Sequence, residues 1–289
     1  MSRERMRIVF VIFILCALGL GGNRVRRVPK ELCEGTKPTF SPDGKYLAFE
    51  NDYIFTIDLA NGEQRRVSDV DRSDWPSWSP DGRKLIFQSL CPHTKQTSCI
   101  IWIVNRDGSD LHQVVPPSNT SNHTPCFSPD GRSILWSREE QLWTADSSGK
   151  NPHLLTHLPK NSYVWACGWS HDGKTIAFIT LQQPYTSDEY KIGLIDSNGQ
   201  NQRIFLEKKE IQQARWSRDG ASLYILCGLN KIIKVDIKSS QERTVCFLKT
   251  DADVGEFDVA PDEKSVAFEL SEPESESKIV IQPISSDSE

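Results

Sequence analysis

FSPDGKYLAF, residues 40–49, returns five more times along the chain. The copies are WSPDGRKLIF at 78–87, FSPDGRSILW at 127–136, WSHDGKTIAF at 169–178, WSRDGASLYI at 216–225 and VAPDEKSVAF at 259–268. The second residue of the phrase falls at 41, 79, 128, 170, 217 and 260, in steps of 38, 49, 42, 47 and 43 residues. A period in the forties is that of propeller blades, each a sheet of four strands.

The phrase has a physical reading. An aromatic or apolar residue ends one strand. Pro-Asp-Gly then makes a turn: Pro presets φ, Asp bonds its own backbone, and Gly accepts a positive φ. The alternating apolar run of Tyr46, Leu47, Ala48 and Phe49 opens the next strand. A third strand reads as IFTIDL at 54–59, IIWIVN at 100–105, QLWTAD at 141–146, KIGLID at 191–196 and KIIKVD at 231–236. A polar turn follows, and a short fourth strand reads as QRRVSD at 64–69, LHQVV at 111–115, PHLLTH at 152–157 and QRIFLE at 202–207.

On these features the chain resembles the TolB-like propeller family over residues 23–289. The fold class this implies is all-β: a six-bladed β-propeller of four-stranded antiparallel blades. The sixth repeat lacks an outer strand after KIVIQPI at 278–284, while NRVRRV at 23–28 resembles GEQRRV at 62–67. Val28 precedes Ser41 by 13 residues, and Val67 precedes Ser79 by 12. The ring is therefore expected to be closed by an N-terminal strand, which removes an open sheet edge.

Residues 1–22 read as a targeting segment. Arg3, Arg5 and Arg7 precede an apolar run from Ile8 to Leu20, and Gly19, Gly21 and Gly22 supply a small-residue exit. The run is 13 residues, against roughly 20 for a membrane span. A cleaved secretory signal is expected, with an uncleaved anchor as the alternative. Leu15 before Cys16 argues against a lipoprotein site. The mature chain is expected in the periplasm or outside the cell, touching membrane only if the segment stays attached.

The net charge of −5, with both signs interspersed, shows no basic footprint, and no nucleic-acid partner is expected. Of the 8 Cys, one leaves with the signal, and an odd number remains. Export permits disulfides, and a bridge between Cys91 and Cys99 is expected to staple the loop between two strands of blade two. A metal site from Cys91, His93 and Cys99 lacks a fourth ligand. Cys126 and Cys167 read as buried small hydrophobes. Cys33, Cys227 and Cys246 have no partner legible in the sequence.

No catalytic motif is found. Gly-x-Ser-x-Gly, the P-loop and His-Glu-x-x-His are all missing. The acids Asp43, Asp81, Asp130, Asp172, Asp219 and Asp262 recur in phase, so each belongs to the same turn. Phe40, Trp78, Phe127, Trp169 and Trp216 recur likewise and are read as filling the gaps between blades. The protein is read as non-catalytic, with no cofactor and no metal.

A site is expected where the innermost strands begin, at one mouth of the central channel. The residues there are Lys37, Asp74, Trp75, His123, Tyr163, Trp165, Gln212 and Glu256, which differ from blade to blade. Trp75, Tyr163 and Trp165 are the favoured contacts, because amphipathic aromatics dominate protein interfaces. The resemblance implies a protein partner, an envelope lipoprotein in the case of TolB itself, and a monomeric propeller is expected. The alternative is a propeller that binds or hydrolyses a small molecule or glycan with Lys37, Asp74, His123 and Glu256. The loop 182–190, the sequons at Asn119 and Asn122 and the acidic end are read as surface.

Overall fold

The computed structural model describes residues 30–90, 99–116, 120–182, 189–228, 230–247, 252–272 and 275–284. They form six sheets of four antiparallel strands, without a helix among the described residues. Blade 1 holds β2 (Thr36–Phe40), β3 (Tyr46–Asn51), β4 (Tyr53–Asp58) and β5 (Gln64–Arg66). Blade 2 holds β6 (Ser73–Trp78), β7 (Lys84–Leu90), β8 (Cys99–Asn105) and β9 (His112–Val115). Blade 3 holds β10 (Asn122–Phe127), β11 (Ser133–Arg138), β12 (Gln141–Asp146) and β13 (His153–Leu154). Blade 4 holds β14 (Ser162–Trp169), β15 (Thr175–Gln182), β16 (Glu189–Asp196) and β17 (Arg203–Lys209). Blade 5 holds β18 (Ile211–Trp216), β19 (Ser222–Cys227), β20 (Lys231–Asp236) and β21 (Glu242–Phe247). Blade 6 holds β22 (Asp253–Val259), β23 (Ser265–Ser271) and β24 (Lys278–Pro283), and its outer strand is β1 (Lys30–Glu34).

The expected N-terminal closure is therefore present. β1 pairs antiparallel with β24, Lys30 opposite Ile281 and Glu34 opposite Lys278. The described ladder lies just past the stretch 23–28 that the repeat phase singles out, which falls outside the described residues. The offset has a parallel inside the ring. β17 is long and leads into β18 across Glu210 alone, as β1 leads into β2 across Gly35 alone.

The repeated phrase builds one turn six times, and five copies share a hydroxyl. In blade 3, Ser128 Oγ donates to Asp130 Oδ1 at 2.6 Å and accepts the amide of Ser133 at 2.9 Å. The amide of Arg132 donates to the same Asp130 oxygen at 3.0 Å. Ser41, Ser79, Ser170 and Ser217 repeat the arrangement with Asp43, Asp81, Asp172 and Asp219. Blade 6 has Ala260 at the serine position and keeps only the amide of Lys264 on Asp262, at 3.0 Å. The recurrent acids are thus committed to turns. The Ser128 hydroxyl and the Arg132 amide hold the Asp130 carboxyl below its ordinary range.

The phrase's leading residue packs back onto the preceding blade. Phe40 joins a cluster with Ala267 and Ile279 of blade 6, and Trp78 joins one with Ala48 and Ile54 of blade 1. Phe127, Trp169, Trp216 and Val259 do the same at the other four interfaces. Trp78 Nε1 also donates to the Thr39 carbonyl, and Trp216 Nε1 to that of Gly168, each at 3.0 Å.

The disulfide expected between Cys91 and Cys99 is not seen among the described residues. Cys99 is a free, buried thiol, and its proposed partner Cys91 lies outside the described residues. Cys99 opens β8, where its carbonyl accepts the side-chain amide of Asn122 at 2.8 Å, so blade packing holds it in place. Cys33, Cys126, Cys167, Cys227 and Cys246 are free as well.

Two stability outcomes follow. Ser128→Ala leaves the Ser133 amide without its side-chain acceptor and should cost about 1–2 kcal/mol, lowering Tm by a few degrees in a calorimetric scan. A chain beginning at Gly35 should melt well below one beginning at Lys30, by at least ~5 °C, because β24 loses its partner strand.

Candidate functional site

The inner strands β2, β6, β10, β14, β18 and β22 line the central channel. They start at one mouth, here the front, and end at the rear mouth beside the Ser-x-Asp turns. Each carries an irregularity in its pairing with the second strand of its blade. In blades 1 to 3 the irregularity contains a left-handed residue followed by proline. Lys37 has φ 51°, Trp75 φ 54° and Thr124 φ 48°, before Pro38, Pro76 and Pro125. Proline has no amide to leave unpaired in the bulge, so the strand can bend without an orphaned donor.

The bulges of blades 1 and 2 bring Lys37, Asp74 and Trp75 together. Lys37 Nζ lies 2.9 Å from Asp74 Oδ1, 3.5 Å from Glu50 Oε2 and 5.7 Å from the centre of the Trp75 ring. Burial opposes the charge on Lys37, but Asp74 and Glu50 hold its ammonium above its usual range. Burial pushes the Asp74 carboxyl up, further than Lys37 pulls it down. Glu50, from β3, also accepts the hydroxyl of Thr36.

Glu256 belongs to the same neighbourhood from blade 6. Its Oε2 is buried and has no hydrogen-bond partner among the described residues. Burial pushes its carboxyl up to about 7; Arg215 and Lys37 pull against this, while Glu269 and Asp74 reinforce it.

Of the remaining expected residues, His123 has its imidazole held below the usual range by burial, while it feels the charge of Asp74. Tyr163 is 56 % exposed, with its ring centre 6.5 Å from that of Trp165, which in turn lies 6.1 Å from Tyr190. Trp165 is half-buried against the core between blades 4 and 5, so it supports the aromatic step and Tyr163 presents it. His123 and Tyr163 share a cleft of about 380 Å³ between blades 3 and 4, with Arg138 and Glu140 on its wall. His123 Nδ1 lies 3.5 Å from Gln88 Nε2. Gln212 is exposed and joins neither group. In the loop 182–190, residues 183–188 fall outside the described residues.

Sequence reasoning missed the rear half of the channel. A cavity of about 370 Å³ opens there, rimmed by Pro42, Pro80, Pro129, His171, Arg218 and Pro261, the third residue of each phrase. Its wall takes the residue before each strand-end aromatic or apolar side chain: Thr39, Ser77, Cys126, Gly168, Arg215 and Asp258. Arg215 Nε lies 3.6 Å from Asp258 Oδ1, and Asp258 Oδ2 accepts the amide of Phe40 at 2.8 Å. The pair joins blade 5 to blade 6, and the amide ties blade 6 to blade 1. Two charged residues at a position that is otherwise small and uncharged are the sequence signal that would have found them. Cys126 and Cys167 line the same wall, and burial pushes both thiols up to about 12, away from reactive thiolates. Among the described residues no three His, Cys, Asp or Glu side chains are grouped to hold a metal ion.

The family model of the TolB beta propeller domain matches residues 11–156, just over half of the chain. The chain belongs to the TolB β-propeller domain family. Two curated proteins match this TolB-type propeller over part of its length. An uncharacterised protein of Agrobacterium fabrum is 27 % identical over 159 residues, 48 % of this chain and 53 % of that protein. Dipeptidyl-peptidase 5 of Porphyromonas gingivalis is 29 % identical over 125 residues, 38 % of this chain and 18 % of the peptidase. The matches thus span about half of one relative and under a fifth of the other.

Solved structures share the fold at low identity. Oligogalacturonate lyase in complex with manganese superposes with a TM-score of 0.64 at 14 % identity, covering 86 % of this chain and 77 % of the lyase. TolB from Acinetobacter baumannii gives 0.59 at 17 %, covering 85 % and 62 %. A chain of the nidogen/laminin complex gives 0.65 at 11 %, covering 83 % and 89 %. The propeller fold is therefore found both in an enzyme and in a chain of a protein complex, and the fold alone does not decide its use.

Glu256 makes a testable contribution to stability. A carboxyl raised in the folded state contributes stability that is full below its unfolded value, near 4.5, and lost as pH rises through about 7. Glu256→Gln is accordingly expected to raise Tm at pH 8 by several degrees and to leave it unchanged at pH 4, read by thermal melts across that range.

Proposed function

We propose that this chain is an exported, non-catalytic propeller that takes a protein partner at the front mouth of its channel. The carrying observation is the aromatic step of Tyr163, Trp165 and Tyr190, with Tyr163 more than half exposed at the start of an inner strand. A large amphipathic ring, backed by a second that is held in the core, offers contact area at little entropic cost on binding. Lys37 and Asp74 supply a charged counterpart from blades 1 and 2, beside the Trp75 ring, which also lines the rear cavity. The nidogen/laminin complex supports such a use of a propeller elsewhere. Residues 1–22 support export, which would place the partner in the envelope or outside the cell.

A second reading has its own observation. The rear cavity of about 370 Å³, with the Arg215–Asp258 pair in its wall, is the size of a small-ligand site. Under that reading the protein binds a small molecule or glycan, or acts on one. The recurrent acids would not serve it, since their carboxylates are engaged in the Ser-x-Asp turns.

Site-specific photo-crosslinking separates the two readings. A benzoyl-phenylalanine placed at Tyr163 should capture one discrete protein in cells, while the same probe at His171, on the rear rim, should not. Capture lost on Trp75→Ala would add the Trp75 side of the channel to the interface. Capture from position 171 alone would sink the front-mouth assignment.

A further inference from the structure

Lys37 Nζ is in contact with Asp74 and Glu50, and the charges of Glu269 and Glu256 on blade 6 act on the same neighbourhood from further off. Glu50, Asp74, Glu256 and Glu269 all act on Lys37 or on one another. The other nearby cation, Arg215, is already engaged with Asp258. The group therefore holds an excess of negative charge.

Two details show that this excess is built into the wall. Gly255 precedes Glu256 on β22 without a positive φ, so its backbone does not call for glycine. A Cβ there would stand 2.7 Å from Glu269 Cδ and 2.8 Å from Glu269 Oε2. The missing side chain lets the Glu269 carboxylate rest against the inner strand. Second, Glu256 Oε2 is buried without a hydrogen-bond partner among the described residues. Buried polar atoms are rarely left without a partner. By contrast, Glu50 is met by Thr36 and Lys37, Asp74 by Lys37 and the Trp75 amide, and Glu269 Oε1 accepts the Ser271 hydroxyl at 3.3 Å, which leaves Glu269 Oε2 beside Gly255.

We infer that the front mouth receives a basic side chain of the partner, a lysine or arginine, whose cation completes the carboxylates of Glu256 and Glu269. This rests on the protein-binding reading above and adds the chemistry of the partner. The internal contact of Lys37 with Asp74 and the Trp75 ring shows the kind of seat an ammonium finds here. The chain's net charge of −5 draws a basic segment toward it.

The groups acting on Glu256 are Arg215 of β18, Lys37 of β2, Glu269 of β23 and Asp74 of β6, and its charge is also felt by the Cys167 thiol of β14. A bound cation favours the ionised Glu256, so binding tightens as pH rises through about 7.

The test uses the full chain and a fluorescein-labelled peptide, Gly-Ser-Lys-Trp-Lys-Ser-Gly, in fluorescence anisotropy. Affinity is expected to rise about tenfold from pH 6 to pH 8. The peptide with both lysines replaced by glutamine should bind at least ~10-fold more weakly. Glu256→Gln should lower affinity by a similar factor and flatten the pH dependence. Asp107→Asn, which removes a charge at the rear end of blade 2, should leave both unchanged. Equal binding of the glutamine peptide, an unaltered Glu256→Gln profile, an equal loss with Asp107→Asn, or no binding by the parent would each overturn the inference. So would displacement by spermidine below the peptide's Kd, which would assign the site to a free polyamine. Should the peptide fail while Tyr163 still captures a protein, the front mouth remains the interface and only the basic partner is lost.

Discussion

Each blade is apolar on both faces, and neither face is covered until a neighbouring blade packs on it. The six core clusters each join two adjacent blades, and none is confined to one. A blade is thus not a stable unit by itself, and the ring has to close for blades 6 and 1 to bury what the other five interfaces bury. That closure is carried by β1 on β24, which joins residues nearly 250 positions apart. Loop-closure entropy makes such a contact slow to form, and its reward is a ring with no unpaired blade.

The closed ring forces the inner strands to face one another across a channel, and this is where the chain departs from its own repetition. The Ser-x-Asp turns and strand-end aromatics hold the six inner strands in equivalent positions. Between those anchors the bulges free a few side chains from the ladder. Lys37 and Trp75 turn inward in left-handed conformations that a regular strand would not tolerate. The scaffold's regularity therefore supports irregular chemistry at its axis. The front of the channel is acidic on the side of blades 1, 2 and 6 and aromatic on the side of blade 4, while the rear is rimmed mainly by prolines.

The mouth residues were legible in part. Lys37, Asp74 and Trp75 come from two blades, and a position-by-position comparison of repeats found all three. Glu50 and Glu269 escaped that comparison because they lie at the far ends of second strands, outside the stretch read as inner strand. Their carboxylates reach the axis only because β3 and β23 end where the bulges of β2 and β22 begin. Arg215 and Asp258 lie near the ends of β18 and β22, where the alternation that brings the front residues inward continues. Trp165, a favoured contact in the sequence, is half-buried against blade 5 and stands behind the more exposed Tyr163.

The sequence by itself determined the number of blades, the turn that ends each inner strand, the residues that fill the gaps between blades and the need for an N-terminal strand to close the ring. These follow from local chemistry repeated in phase: proline and glycine at a turn, a serine and an aspartate two positions apart, aromatics at a strand's end. The tertiary structure alone decided which charges meet. Lys37 and Asp74 are 37 positions apart and pair at 2.9 Å, and Glu256 joins their field from the opposite end of the chain. Those meetings depend on the curvature of a closed ring and on bulges that shift register by a residue. A linear pattern of side chains specifies neither, because both are set by how six sheets pack around one axis.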